Sequence, residues 1–148
     1  MKPSILRTLL FSVIIAACLG AAASAEVTGQ EWKVYYDLVE EWHNQLYVTG
    51  NDPFKSYDNA VLAISSTSGL TKDQIDDIEK RVLENRELSE QEWKIYDDLM
   101  DSLNTLPENA GRYESEQVHS RMASKYGITI MKLHEIEYIG YIDDWMWY

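Results

Sequence analysis

The chain has 148 residues, of which 45% are hydrophobic and 26% charged, with only 3 Pro and 7 Gly. This composition excludes a disordered protein and predicts a packed core, in one ordinary domain or two very small ones. A single Cys excludes an internal disulfide and a Cys-based zinc site, and three scattered His leave little room for a His-rich centre, so we expect no metal or other cofactor. The net charge of −12 argues against nucleic acid and anionic membranes as partners.

Residues 1–25 have the pattern of a secretory signal peptide. Two basic residues precede an uncharged apolar stretch, and Ala23 and Ala25 then form an A-x-A cleavage site. We expect cleavage after Ala25, which would leave a periplasmic or secreted protein that begins at Glu26 and carries a charge of −14.

A second interpretation of this segment concerns Cys18. The sequence IAAC at residues 15–18 resembles a bacterial lipobox, in which the thiol is acylated and becomes the new N-terminus. The protein would then be lipid-anchored in the envelope, with residues 19–29 as a tether. Lipid on Cys18 is the one membrane contact that the sequence suggests.

The chain contains an internal repeat. Residues 30–42 and 91–103 are identical at seven of thirteen positions, at an offset of 61. Residues 64–79 and 122–137 match at an offset of 58, with five identities. Two matching blocks in the same order predict a duplicated unit of roughly sixty residues.

The repeat predicts two units, at residues 26–87 and 88–148, that pack together as one domain. Each unit has the pattern of three helices, and the chain lacks sustained strand alternation. The fold class is therefore expected to be all-α, with about six helices in two tandem repeats. We expect Trp32 and Trp93, the equivalent tryptophans of the first stripes, to occupy equivalent buried places.

Helix boundaries follow from local signals along the chain. Asp52 and Pro53 are typical of an N-cap and a first helical residue. Capping boxes at residues 71–74 and 89–92 start two further helices. The apolar stripe of the first helix comprises Trp32, Tyr35, Val39, Trp42 and Leu46.

One corner of each unit resembles a helix-turn-helix motif. The turn glycines are Gly69 and Gly127, each with a small residue four positions before it and an apolar residue six positions after it. DNA recognition needs basic and amide side chains on the helix after the turn, but those helices are acidic. We interpret both motifs as helix-packing corners.

A five-residue segment, Leu70–Gln74, is similar to the LTxxQ motif of small periplasmic helical chaperones. The resemblance implies an exported helical protein with chaperone-like binding. The equivalent segment of the second unit departs from the motif, because Lys132 stands where the Gln should be.

The sequence offers few candidates for catalysis. His119 could approach Glu116, and His134 could approach Glu137, each one helical turn apart. One His per helix beside local acids is typical of a solvated face, and His43 near the end of its helix can serve terminal carbonyls. We therefore expect no enzyme. The alternative is a small hydrolase or metal-dependent enzyme that uses His119, His134 and nearby carboxylates.

Aromatic residues crowd the end of the chain. They either close the end of the helical bundle, which a small bundle favours, or anchor a partner. Trp147 and Tyr148 are the candidates to project outward, and Trp145, Trp147 and Tyr148 are the candidate protein-binding residues. The five residues are Tyr138, Tyr141, Trp145, Trp147 and Tyr148. We expect an exported non-enzymatic module of the envelope, an inhibitor, adaptor or chaperone-like protein, whose partner is another and possibly basic protein.

Overall fold

The computed structural model describes residues 26–50, 52–84 and 86–145, without the side chain of Trp145. The expected signal peptide, Cys18, Trp147 and Tyr148 lie outside these residues. The described chain is all-helical and contains no strand, as predicted, and none of its helices is long and apolar enough to cross a membrane. The six helices are α1 (Gly29–Val48), α2 (Pro53–Ser68), α3 (Lys72–Leu83), α4 (Glu90–Asn104), α5 (Arg112–Tyr126) and α6 (Ile130–Trp145).

The helix ends form where the local signals predict them. The Asp52 carboxylate accepts the first backbone N–H groups of α2, and capping boxes start α3 at Thr71 and α4 at Ser89. Gly69 and Gly127 close α2 and α5 in the left-handed region, at φ of 75° and 66°. The segment that resembles LTxxQ is thus a capping box in which Thr71 and Gln74 bond each other's backbone.

Two hydrophobic clusters make up the core. The first joins α1, α2 and α3, and it includes Tyr138 from α6. The second joins α4, α5 and α6, with Leu88 from the segment before α4. Helix α6 also packs along α1, so the two clusters meet at this pair of helices.

The tryptophans of the two first stripes differ from expectation. Trp32 and Trp93 are only partly buried, because each lies in the first turn of its helix, at the edge of its cluster. The fully packed aromatics are Tyr35 and Tyr96, one turn later. Each tryptophan meets its tyrosine edge-on, at centroid distances of 6.0 Å and 5.6 Å.

Candidate functional site

All three histidines of the chain meet in the interior, where α1, α5 and α6 pack together. Helix α1 supplies His43 and Tyr47, α5 supplies His119, and α6 supplies His134 and Glu137. We call these five residues the histidine cluster. His43 and His119 are 6% and 1% exposed, and Glu137 is fully buried.

Glu137 is the centre of the histidine cluster. Its Oε2 atom lies 3.2 Å from Nδ1 of His43 and 3.1 Å from Nε2 of His119. Its Oε1 atom accepts a short hydrogen bond from the Tyr47 hydroxyl. The carboxylate therefore has partners on both oxygens, which a buried charge requires.

Backbone and ring contacts fix the orientation of the imidazoles. The carbonyl of Ser115 lies 2.7 Å from Nδ1 of His119, and because a carbonyl only accepts, this nitrogen carries a proton. The ring of His134 stacks on that of His43 at 3.6 Å between centroids, with 19° between the planes. Nδ1 of His134 is buried and has no hydrogen-bond partner within the described chain.

The pKa values of the cluster reflect burial and mutual charge. Burial acts to raise the pKa of Glu137, but the imidazoles of His119 and His43 outweigh it and hold that pKa well below its usual range. Burial acts to lower the pKa of His119, but the Glu137 carboxylate outweighs it, and the net shift is upward. Burial and the neighbouring His43 lower the pKa of His134 to about 3. Folding therefore favours the charged carboxylate of Glu137 and the protonated form of His119, and it disfavours a charge on His134.

These positions correct the expectations for the histidines. His119 does not lie on a solvated face with Glu116, because its ring turns inward to Glu137 on another helix. His43 does not serve the carbonyls at the end of α1, since its Nδ1 faces the same carboxylate. His119 and His134, the pair named for the enzyme alternative, do come together, with 5.5 Å between ring centroids.

The histidine cluster presents a donor set that could hold a metal ion. One ligand atom from each of His43, His119 and Glu137 lies within 4.8 Å of the other two. Local sequence patterns do not predict that these residues meet, because the three stand on three helices and His43 is 94 residues from Glu137.

A separate groove opens between α6 and the first three helices. Its volume is about 690 Å³, in the range of ligand-binding clefts. Its apolar wall is made of Trp42, Phe54, Tyr57, Leu83, Tyr138, Ile139, Tyr141 and Ile142, and its charged lining of Glu79, Lys80, Glu84, Arg86, Glu87 and Asp143. We call this the α6 groove.

Hydrogen bonds hold three aromatic side chains of the α6 groove in place. The Trp42 indole donates to the carbonyl of Pro53 at 3.2 Å. The hydroxyl of Tyr57 lies 2.6 Å from Glu79, which also accepts a short hydrogen bond from Tyr138. Burial raises the pKa of Glu79 even though both hydroxyls act to lower it.

The structure separates the aromatic residues that the sequence grouped at the chain end. Tyr138 is 1% exposed and packs edge-on against Trp42 at 5.2 Å, so it belongs to the core. Tyr141 is partly buried and lies between Trp42 and Tyr96. The side chains of Trp145, Trp147 and Tyr148, the expected binding residues, lie outside the described part of the chain, and their role stays a prediction.

Comparison of the chain with protein-family models, with curated proteins and with solved structures finds no match in any of the three.

Proposed function

We propose that this protein is an exported, non-enzymatic helical module that binds a basic amphipathic segment of another protein in the α6 groove. The observation that carries the proposal is the groove itself, an apolar cleft of about 690 Å³ in which four of the six charged lining residues are acidic. Contacts with the aromatic side chains of the groove would slow dissociation of a bound partner. The acidic groups around them favour a partner in which Lys or Arg lies beside the apolar side chains that enter the groove.

The charges around the α6 groove support a basic partner. Glu84 and Glu87 are exposed, and Asp143 is partly exposed at the end of α6. Of the two bases in the lining, Arg86 is engaged by Glu92 at 2.6 Å and also contacts Glu135. The lining therefore presents net negative charge, in keeping with the −12 of the whole chain.

The tandem repeat belongs to the same proposal. Glu79 and Glu137 are equivalent in the repeat, and each accepts hydrogen bonds from the other half of the chain. Glu79 accepts from Tyr138 of α6, while Glu137 faces His43 and Tyr47 of α1. This reciprocal exchange supports two related three-helix units at residues 26–87 and 88–148 that pack through α1 and α6.

One observation favours the enzyme alternative, the convergence of His119 and His134 in a single cluster. The same structure supports binding more strongly, because no histidine lines the α6 groove. A substrate in the groove would lie against aromatic rings and carboxylates, without an imidazole in reach to exchange protons with it.

Titration calorimetry with a defined peptide tests the proposal. The probe is an amphipathic helical peptide of Leu and Lys, and the control is the same pattern with Glu in place of Lys. We expect binding of the basic peptide only. Phe54→Ser should weaken it at least tenfold, whereas Leu62→Ser, on the same helix and equally exposed at 65% against 63%, should not.

Charge is tested by a second matched pair of variants. Glu84→Lys in the α6 groove should weaken binding of the basic peptide, and Glu108→Lys, exposed elsewhere, should have less effect. Raising salt from about 0.05 to 0.5 M should slow association, because the Debye length falls from about 14 to about 4 Å. Truncation of Trp145, Trp147 and Tyr148 should speed dissociation if these residues extend the site. The proposal would be contradicted if Phe54→Ser and Leu62→Ser weakened peptide binding equally. It would also be contradicted if Glu84→Lys and Glu108→Lys did so.

Export is proposed together with binding. The intact mass of the exported protein should correspond to a chain that begins at Glu26. A species that begins at Cys18 with added acyl mass would instead establish the lipid-anchored form.

A further inference from the structure

We propose that His43, His119 and Glu137 form a binding site for a divalent transition-metal ion, with Zn²⁺ as its reference ligand. This site is independent of the α6 groove, because none of the three residues lines that groove. Two imidazole nitrogens and one carboxylate oxygen are a donor set that Zn²⁺ accepts in proteins.

The spacing of the donor atoms fits a tetrahedral ion. Two ligands that each lie about 2.0–2.1 Å from zinc are about 3.3 Å apart at a tetrahedral angle. Oε2 of Glu137 lies 3.2 Å from Nδ1 of His43 and 3.1 Å from Nε2 of His119. The two imidazole nitrogens lie within 4.8 Å of each other, so side-chain shifts can bring all three donor atoms around one ion.

Outer contacts orient the donor atoms as they do at metal sites. The carbonyl of Ser115 holds Nδ1 of His119 and leaves Nε2 directed at the carboxylate. The hydroxyl of Tyr47 holds the second oxygen of Glu137. Metal-ligating histidines commonly donate their other N–H group to a carbonyl, and ligating carboxylates are themselves hydrogen-bonded.

The composition of the chain adds an independent argument. The sequence holds only three histidines, and all three meet around one fully buried carboxylate. An ion pair alone needs one imidazole for one carboxylate. Glu137 has a second imidazole, that of His43, and the ring of His134 stacks on His43 and supports it. Tyr47 and His134 are partly exposed, so one side of the cluster reaches the surface of the protein.

An ion at this place would join the two halves of the chain. His43 belongs to α1 of the first half, whereas His119 and Glu137 belong to α5 and α6 of the second. Because an ion that binds only the folded state stabilises it by mass action, Zn²⁺ should raise the melting temperature.

The experiment titrates the metal-stripped protein with ZnCl₂ against a chromophoric chelator, and records thermal melting with and without Zn²⁺. We expect one Zn²⁺ per chain, bound at micromolar concentration or tighter, and a higher melting temperature. Glu137→Gln and His119→Asn should each weaken binding at least tenfold. Glu116→Gln, which alters an acid one helical turn from His119 on α5 and outside the donor set, should retain it.

A measurement on the unmutated protein covers the case in which a cluster variant does not fold. X-ray absorption of the zinc-loaded chain should show a shell of nitrogen and oxygen at about 2.0–2.1 Å, with the outer scattering of two imidazoles. Absence of stoichiometric binding, a spectrum without imidazole, or equal binding by Glu137→Gln and the parent would overturn the proposal and leave an imidazole–carboxylate ion pair only. Peptide binding in the α6 groove can fail without affecting any of these results.

Discussion

At the scale of single residues, close packing leaves no room for a side chain at Gly140. It lies in the buried middle of α6, and a Cβ atom there would come within 2.5 Å of the Tyr96 ring. The ring thus lies directly on the backbone of α6, and its hydroxyl donates to Asp144 at 2.9 Å. Glycine within a helix lowers stability by about 1 kcal/mol relative to alanine. The close contact between α4 and α6 explains why glycine nevertheless occupies this position.

Gly140→Ala should therefore lower the free energy of unfolding by about 1–3 kcal/mol, despite the better helix propensity of alanine. The matched control is Gly29→Ala, in the first turn of α1, where a Cβ meets nothing within 4 Å. The control should be neutral or slightly stabilising in urea unfolding. Stabilisation of similar size by both substitutions would contradict the packing of Tyr96 on α6.

At the scale of elements, an ion-pair network ties the start of α4 to α6. Glu92 caps α4 at Ser89 and also binds Arg86 at 2.6 Å and Lys132 of α6 at 2.9 Å. Burial acts to raise the pKa of Glu92, but hydrogen bonds from Arg86, Ser89 and Lys132 outweigh it and lower the pKa to about 2. The charged form is favoured by folding, so Glu92 stabilises the protein above its unfolded pKa near 4.5 and loses this effect as pH falls through 2.

Glu92→Gln should cost about 2 kcal/mol of unfolding free energy at pH 7, since glutamine keeps the capping acceptor and removes only the charge. The difference from the parent should shrink below about pH 4.5 and vanish near pH 2. Glu90→Gln, in the same turn but exposed, serves as the control and should change little across the range. Chemical unfolding at several pH values measures both, and a pH-independent effect of Glu92→Gln would contradict the network.

The helices and their caps were predictable from sequence, because each signal is local. Thr71 with Gln74, and Ser89 with Glu92, bond within one helical turn, so spacing alone identifies them. The capping box of Thr28 and Glu31 at the start of α1 carries the same signal and was missed.

The histidine cluster was not predictable in the same way, because its contacts join distant parts of the chain. One sequence signal was available. His43 and Glu137 each stand four residues after a buried apolar residue, Val39 and Leu133, and so lie on the apolar faces of their helices. A polar residue within an apolar stripe indicates a buried partner, but its identity depends on how α1 and α6 pack.

At the scale of the whole molecule, the histidine cluster lies where the two halves meet. The first core cluster is built from α1–α3 with Tyr138 of α6, and the second from α4–α6. The carboxylate of Glu137 contacts side chains from both halves. His43 and His119, from different halves, therefore share one carboxylate. The proposed metal site depends on that convergence, which can be tested without any metal.

The most direct measurement is the side-chain ¹⁵N spectrum of the three histidines in the metal-stripped protein, recorded for the parent, Glu137→Gln and Glu116→Gln. Because His43 and His119 both face Glu137, and His134 stacks on His43, Glu137→Gln should shift the ring nitrogens of all three. Glu116→Gln, which alters the acid one turn from His119 on the same helix, should leave His43 and His134 unchanged. Shifts confined to His134 after Glu137→Gln, or larger shifts of His119 after Glu116→Gln, would contradict the convergence.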